Sequence, residues 1–346
     1  METLEFEPLL KPTIWGGSNI IPLKGLAERV EHVGESWEIS GLPGHESRVS
    51  RGACKGRDLT ELVRVYKDRL VGRKVYQTYG DNFPLLIKLI DAADDLSIQV
   101  HPNDRLAQSL GHKRGKTEMW HVINAEPGAS ILIGLREQIT PEEFRHRVAD
   151  HTIANALNRI EVNPGDTFFI PAGCIHAIGR GCLLAEIQQS SDLTFRIWDY
   201  NRHDASGNLR QLHTELAAKA IDYTPTDGRP IDYSTTNRHA NNHPAMNGHR
   251  LPDLATKSIL ANGLATLVSC PYFITRLRRI SKQTTLDYTA IDSFVVLIGL
   301  EGEGSLTDSD GIEHSLKAGV TLLVPASTPS VRLTGDIKLL ETFIGC

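Results

Sequence analysis

The chain has 346 residues, 40% of them hydrophobic, a formal charge of −5, and five cysteines with no CxxC pair among them. That length buries a substantial core without disulfide or metal staples and points to two domains or one large one. The acidic balance and the lack of long Lys/Arg blocks argue against nucleic acid or acidic membranes as partners, and the odd, scattered cysteines fit reduced thiols. The first residues, METLEFEPLLKPTIWGG, are acidic where a secretory leader is basic, and no apolar run is long enough to span a bilayer. A soluble, cytoplasmic protein with a small-molecule partner is expected. Next in the chain, DLTELVRVYKDRLVG predicts a helix: Asp58 is its N-cap, Glu61 sits at the capping-box position, and Leu59, Leu62, Val63, Tyr66 and Leu70 recur at helical spacing. The apolar run PLLIKLI and the stretch SIQVH read as strands. In SIQVHPND the alternation of strand side chains puts Gln99 and His101 on one face and Ile98 and Val100 on the other. MWHVINA, ASILIGL, DTFFIPAG, LLAEIQQ and LTFRIWDY continue the strand pattern, interrupted by a helix start where Thr140 precedes Pro141, with Glu143 three residues on. TELAAKAI is a further short helix. From about Asp222 to Lys257 the chain is polar, rich in Pro, Asn and His and without apolar periodicity, which reads as an interdomain crossing; the histidines at 239, 243 and 249 lack metal-site spacing. Strand-like runs resume after it.

An internal echo organises these strands. PGDTFFIPAGCIHAI aligns without a gap on AGVTLLVPASTPSVRL, matching Gly165 to Gly319, Thr167 to Thr321 and Pro171 to Pro325, while His176 falls on Ser330. The first copy resembles the second sequence motif of the cupin barrel, and the second copy keeps its skeleton without the histidine. The expected fold is therefore mainly β: two cupin-like jelly-roll β-barrels with a few peripheral α-helices. The expected division is 1–235 for a catalytic barrel with helical insertions, 236–257 for a linker, and 258–346 for a degenerate barrel without a metal site.

Further motifs in order, KPTIWGG, GESWEIS, PLLIKLIDA, QVHPND, KTEMW, PAGCIHAIG and EIQQSSDLTFRIWDY, resemble type I phosphomannose isomerase in its short bacterial form, densely from Lys11 to Tyr223 and weakly beyond. The resemblance implies a metal-dependent aldose–ketose isomerase that interconverts mannose 6-phosphate and fructose 6-phosphate through an enediol(ate). It implies Gln99, His101, Glu118 and His176 as ligands of one Zn2+, with other divalent metals open, and an active-site role for Arg196 and Lys116. Imidazole, carboxylate and amide donors suit such an ion. Proton transfer between C1 and C2 needs a base; Glu186, Asp192 and a metal-bound water are the candidates. Two competing readings use the same barrel: a binding module for sugar phosphates without turnover, and a metal-dependent oxygenase. The chain departs from longer family members at Gly115, where they carry a histidine, and at Arg202, where they carry a lysine. Trp15 and Trp37 are expected to pack rather than touch sugar, and Cys174 to be a small buried thiol.

Overall fold

The computed structural model describes residues 1–27, 30–203, 206–226, 249–251 and 263–345, with 249–251 described by their backbone only. Most of the expected 236–257 linker lies outside the described residues. The architecture is mainly β with peripheral helices, as the strand-length apolar runs require. Two sheets form the first barrel. One runs in the order His249–Leu251, Thr167–Ile170, Glu118–Ala125, Cys182–Gln189, Leu85–Ala92, Leu9–Gly17 and Val33–Ile39, and the other in the order Phe195–Trp198, Ile98–Val100, His176–Ile178, Ser130–Leu135 and Leu157–Glu161. Between them lies a core of Ile90, Trp120, Val122, Phe168, Ile131, Ile133, Ile178 and Leu184, drawn from both inner faces. Trp120 and Phe168 are wholly buried there. Each large side chain removed from water in this way contributes on the order of 1.5–3 kcal/mol.

The outer face of the second sheet is covered by the helices Pro141–Ala149 and Thr214–Ala220, which seat Phe144, Val148 and Ala217 against Val100, Leu132, Phe195 and Ile197. Thr140 caps the first of these as expected, its hydroxyl accepting from Glu143 N at 3.1 Å. The outer face of the first sheet packs instead on the second barrel through one continuous core that includes Leu85, Ile87, Leu89, Val296, Ile298 and Leu340. The second barrel's sheet runs Leu4–Glu5, Thr321–Val324, Val295–Thr307, Ser330–Phe343, Ile274–Ile280 and Leu264–Ser269. The barrels thus exchange ends: the N-terminal strand Leu4–Glu5 belongs to the second sheet, and His249–Leu251, inside the expected linker, pairs with Thr167–Ile170 of the first.

The helix expected from Asp58 onward differs from its sequence pattern. Asp58 does cap it, accepting from Glu61 N at 2.7 Å, but Glu61 turns away to Arg57, and the expected stretch divides at Lys67, which sits at φ 49°, into Leu59–Tyr66 and Asp68–Val71; it ends at Gly72, and Arg73–Tyr79 follows as a separate helix. The end at Gly72 is set by the other barrel. Asp292 accepts from Arg73 N at 2.7 Å and from Lys74 N at 3.2 Å, capping a new helix start, and Gly72 at φ 93° approaches the Asp292 carbonyl so closely that a Cβ would stand 2.2 Å from it.

Candidate active site

Strand register assembles the site. In the five-stranded sheet Arg196 stands directly opposite Gln99, and Gln99 directly opposite His176, so these three side chains form one row on one face. In the facing sheet Trp120 lies opposite Glu186, Glu186 opposite Lys88, and Lys88 opposite Trp37, forming a second row. The two rows meet across a cleft of about 250 Å³ whose lining includes Trp15, Glu35, Trp37, Lys88, Gln99, Lys116, Glu186, Asp192, Arg196 and Arg210. A larger depression of about 710 Å³, bordered by Gly16, Asn19, His32, Asp91 and Glu126, contains none of the expected site residues, and its buried Asp91 carboxylate is occupied by Asn19. The chemistry belongs to the smaller cleft.

At the base of this cleft His101, Glu118 and His176 converge, with their donor atoms within 4.8 Å of one another and all three side chains buried. His101 Nδ1 donates to Leu193 O at 3.1 Å and His176 Nδ1 donates to Cys174 O at 2.9 Å. Those bonds fix the tautomers and leave both Nε2 lone pairs turned inward. Burial keeps the imidazoles neutral: His176 is lowered to about 4, and His101, which also feels Lys116, lies well below its usual value. His101 Nε2 is 3.4 Å from Glu118 Oε2, and His176 Nε2 is 3.4 Å from Glu118 Oε1. A four-coordinate ion with bonds of about 2.1 Å holds its ligand atoms roughly 3.4 Å apart, the separation of each imidazole nitrogen from one of the two carboxylate oxygens. Among the described residues nothing donates a hydrogen bond to the wholly buried Glu118 Oε1, an arrangement that costs free energy unless a cation meets it. Gln99 lies alongside, its amide nitrogen 3.3 Å from His176 Nε2, and turning the amide over presents the oxygen instead. The donor set suits a divalent cation.

Around this cradle the charges are committed in a definite pattern. Lys116 Nζ is 2.8 Å from Glu118 Oε2 and 3.2 Å from His101 Nε2. Lys88 Nζ is 3.2 Å from Glu186 Oε1 and 3.5 Å from Glu35 Oε2, while Trp120 Nε1 donates to Glu186 Oε2 at 2.9 Å and Trp37 Nε1 donates to Glu35 Oε2 at 2.6 Å. Burial opposes ionisation of Glu186, yet the ammonium groups of Lys116 and Lys88 outweigh it and hold the carboxylate down to about 2. Glu118 moves the other way: burial, reinforced by the charge of Glu186, pushes it up to about 7.

Every residue anticipated for the site is near this cleft, with three differences in detail. Arg196 does not pair with Glu186 or Asp192; its NH1 group donates to Gln211 O at 2.9 Å, and its buried Nε has no partner among the described residues. Trp15 and Trp37 line the cleft rather than only packing beneath it. Lys88, Glu35 and Arg210 were not anticipated, although a lysine in the middle of the wholly buried run Leu85–Ala92 is a legible signal of a buried counter-charge. Cys174 is an inert buried thiol, pushed up to about 12 by burial, as expected. Gly115 lies against the backbone of residues 102–104, where a Cβ would stand 2.4 Å from Pro102 O, so a larger residue there requires a different loop path.

Residues 4–134 match the family described as phosphomannose isomerase type I, catalytic domain. Over 344 residues the chain is 34% identical to a mannose-6-phosphate isomerase of Bacillus subtilis (strain 168), covering 99% of both. It is also 34% identical over 344 residues to the mannose-6-phosphate isomerase of Streptococcus mutans serotype c, covering 99% of this chain and 98% of the relative. A crystal structure of the mannose 6-phosphate isomerase from Bacillus subtilis shares its fold with a TM-score of 0.82 and 29% identity over 99% of each chain. Because the likeness runs the full length, through the second barrel and well past the motif-rich stretch that ends near Tyr223, the chain belongs to the type I phosphomannose isomerase family.

Proposed function

We propose that the first barrel interconverts mannose 6-phosphate and fructose 6-phosphate with a zinc ion held by His101, Glu118, His176 and the Gln99 amide oxygen. The observation that carries this reading is the orphaned, buried Glu118 Oε1 between two imidazoles whose tautomers are already set for a cation. When bound, the ion supplies Lewis-acid polarisation of the substrate oxygens. The protein side chains account for the rest. Lys116 Nζ, beside Glu118, faces the cleft as a donor to the oxygen that gains negative charge when the C2 proton leaves. Arg196 presents a planar fork to the same space, anchored at one nitrogen by Gln211. Glu186 is committed to Lys88 and Trp120, and its strongly depressed proton affinity makes it a poor acceptor. Its role is to hold the ammonium array in place. Asp192, exposed at the cleft rim and with no ion pair among the described residues, is the better carrier of the proton between C1 and C2. The second barrel covers the back of the catalytic sheet and supports it.

No helix among the described residues is long and apolar enough to cross a membrane. The test is a coupled assay of fructose 6-phosphate formed from mannose 6-phosphate by purified protein, before and after chelation, with and without oxygen. Turnover that disappears on chelation, returns with zinc and ignores oxygen is the expected result; metal-replete protein without turnover refutes the reading.

A further inference from the structure

Where the strand Phe195–Trp198 leaves the sheet, the chain takes a costly path. Tyr200 and Asn201 both sit at φ 55°, in the left-handed region that non-glycine residues seldom occupy, and consecutive residues held there mark a segment whose geometry is maintained by its surroundings. The turn brings Arg202 back onto Asp199, a carboxylate only 3% exposed, and Arg210 reaches the second oxygen of the same carboxylate from the following loop, NH1 to Oδ2 at 3.0 Å. Arg196 stands next to them, and its guanidinium is disfavoured first by burial and then by the charge of Arg210, with Asp199 opposing and Arg202 adding to the effect. Among the described residues, Arg202 and Arg210 therefore share one buried carboxylate, with only the exposed Asp94 adding a contact to Arg202 at 3.4 Å, while Arg196 beside them is held by the Gln211 carbonyl. That leaves a positive excess at the rim among the described residues. Of the three, Arg196 and Arg210 line the cleft that also contains Lys116 and Gln99; of its acidic groups Glu35 and Glu186 are paired with Lys88, and Asp192 has no ion pair among the described residues.

We propose that Arg210 is a binding and specificity residue that receives the phosphate group of the substrate at the cleft rim, with Asp199 as the residue that positions it. The proposal rests on the sugar-phosphate reading above. Asp199 engages one guanidinium nitrogen and orients a fork that has five N–H donors, and such a fork matches a phosphate dianion while the sugar's carbonyl end extends toward Lys116 and the cation cradle. The left-handed pair at Tyr200 and Asn201 is the backbone device that turns the chain so that Asp199 can hold both loops.

Steady-state kinetics of metal-replete Arg210→Ala and Arg210→Gln, with inorganic phosphate as a competing probe, test this. The KM for mannose 6-phosphate is expected to rise roughly ten- to hundredfold, the range for one lost charge-assisted hydrogen bond, with a parallel rise in the inhibition constant of phosphate and kcat within about threefold of the parent. Arg210→Lys should recover part of the loss. Unchanged KM and phosphate inhibition, or a loss confined to kcat, overturns the assignment. Should Arg210→Ala fail to fold, Arg210→Gln, which keeps an amide donor for Asp199, gives the same reading. Calorimetric titration of inorganic phosphate needs no turnover and separates the two claims. If the parent binds phosphate through Arg210 yet does not isomerise mannose 6-phosphate, the activity falls and the anion site stands. If turnover is normal and phosphate binding survives Arg210→Ala and Arg210→Gln, the anion site alone falls.

Discussion

Replacing Lys88 with Met removes the ammonium that meets Glu186 at 3.2 Å and Glu35 at 3.5 Å while keeping an unbranched side chain in the buried strand. Glu186, 3% exposed, is then left with the Trp120 indole and the more distant charge of Lys116. Breaking one side of a buried ion pair typically costs about 3–5 kcal/mol, because the remaining charge stays buried. The titration of Glu186 points the same way: burial opposes its ionisation, yet the ammonium groups of Lys116 and Lys88, with the Trp120 indole, hold it at about 2 rather than its usual 4.5. A depressed carboxylate contributes stability that is fully present above about pH 4.5 and is lost as pH falls from 4.5 toward 2. Lys88 is raised instead, so its own contribution fails only in strong alkali, outside this window. Urea unfolding of metal-saturated parent and Lys88→Met, followed by tryptophan fluorescence, should therefore show a loss of about 3 kcal/mol at pH 7 that shrinks as the variant's Glu186 protonates on acidification. Adding Glu186→Gln to Lys88→Met should restore part of the stability. A loss below about 1 kcal/mol at pH 7, or one that does not change with pH, refutes the reasoning.

His176→Ala should lose both bound metal and activity, whereas Gln99→Ala, which removes a neutral amide, should weaken metal binding less; metal analysis after gel filtration decides, and full metal content in His176→Ala defeats the ligand assignment. The parent should carry one ion per chain, since Ser330 occupies the place of His176 in the second barrel, and a stoichiometry near two contradicts that reading of the repeat. Arg196→Ala and Arg196→Lys should both fold and hold metal while kcat falls on the order of a hundredfold, because an ammonium cannot both donate to Gln211 and present a fork to the substrate; near-parental kcat in Arg196→Lys removes the forked-donor role.

What the sequence disclosed and what it concealed divide along physical lines. Alternation within one strand is local, so the shared face of Gln99 and His101 could be read directly, and the aligned repeat singled out His176 because its copy lacks the histidine. Caps at Asp58 and Thr140 were equally local, each needing only a side chain and an amide three residues on. The new helix start after Gly72 was hidden because its cap, Asp292, lies more than two hundred residues away in sequence, and the partner of the strand Leu4–Glu5 lies at the other end of the chain. Arg210 escaped notice because it lies outside any strand or helix, where no periodicity assigns a face. The partner of Arg196 is the most instructive case. Its face follows from the alternation in LTFRIWDY, and a guanidinium at a cleft calls for an anion, for which Glu186 and Asp192 are the nearby carboxylates in sequence. Which cation obtains a given carboxylate is decided by competition, however, and Lys88 stands directly opposite Glu186 in the ladder whereas Arg196 belongs to the facing sheet. Register fixed that outcome before any charge was weighed. Arg196 was left with a backbone carbonyl to steady one nitrogen and, in the proposed reaction, the substrate to meet the rest.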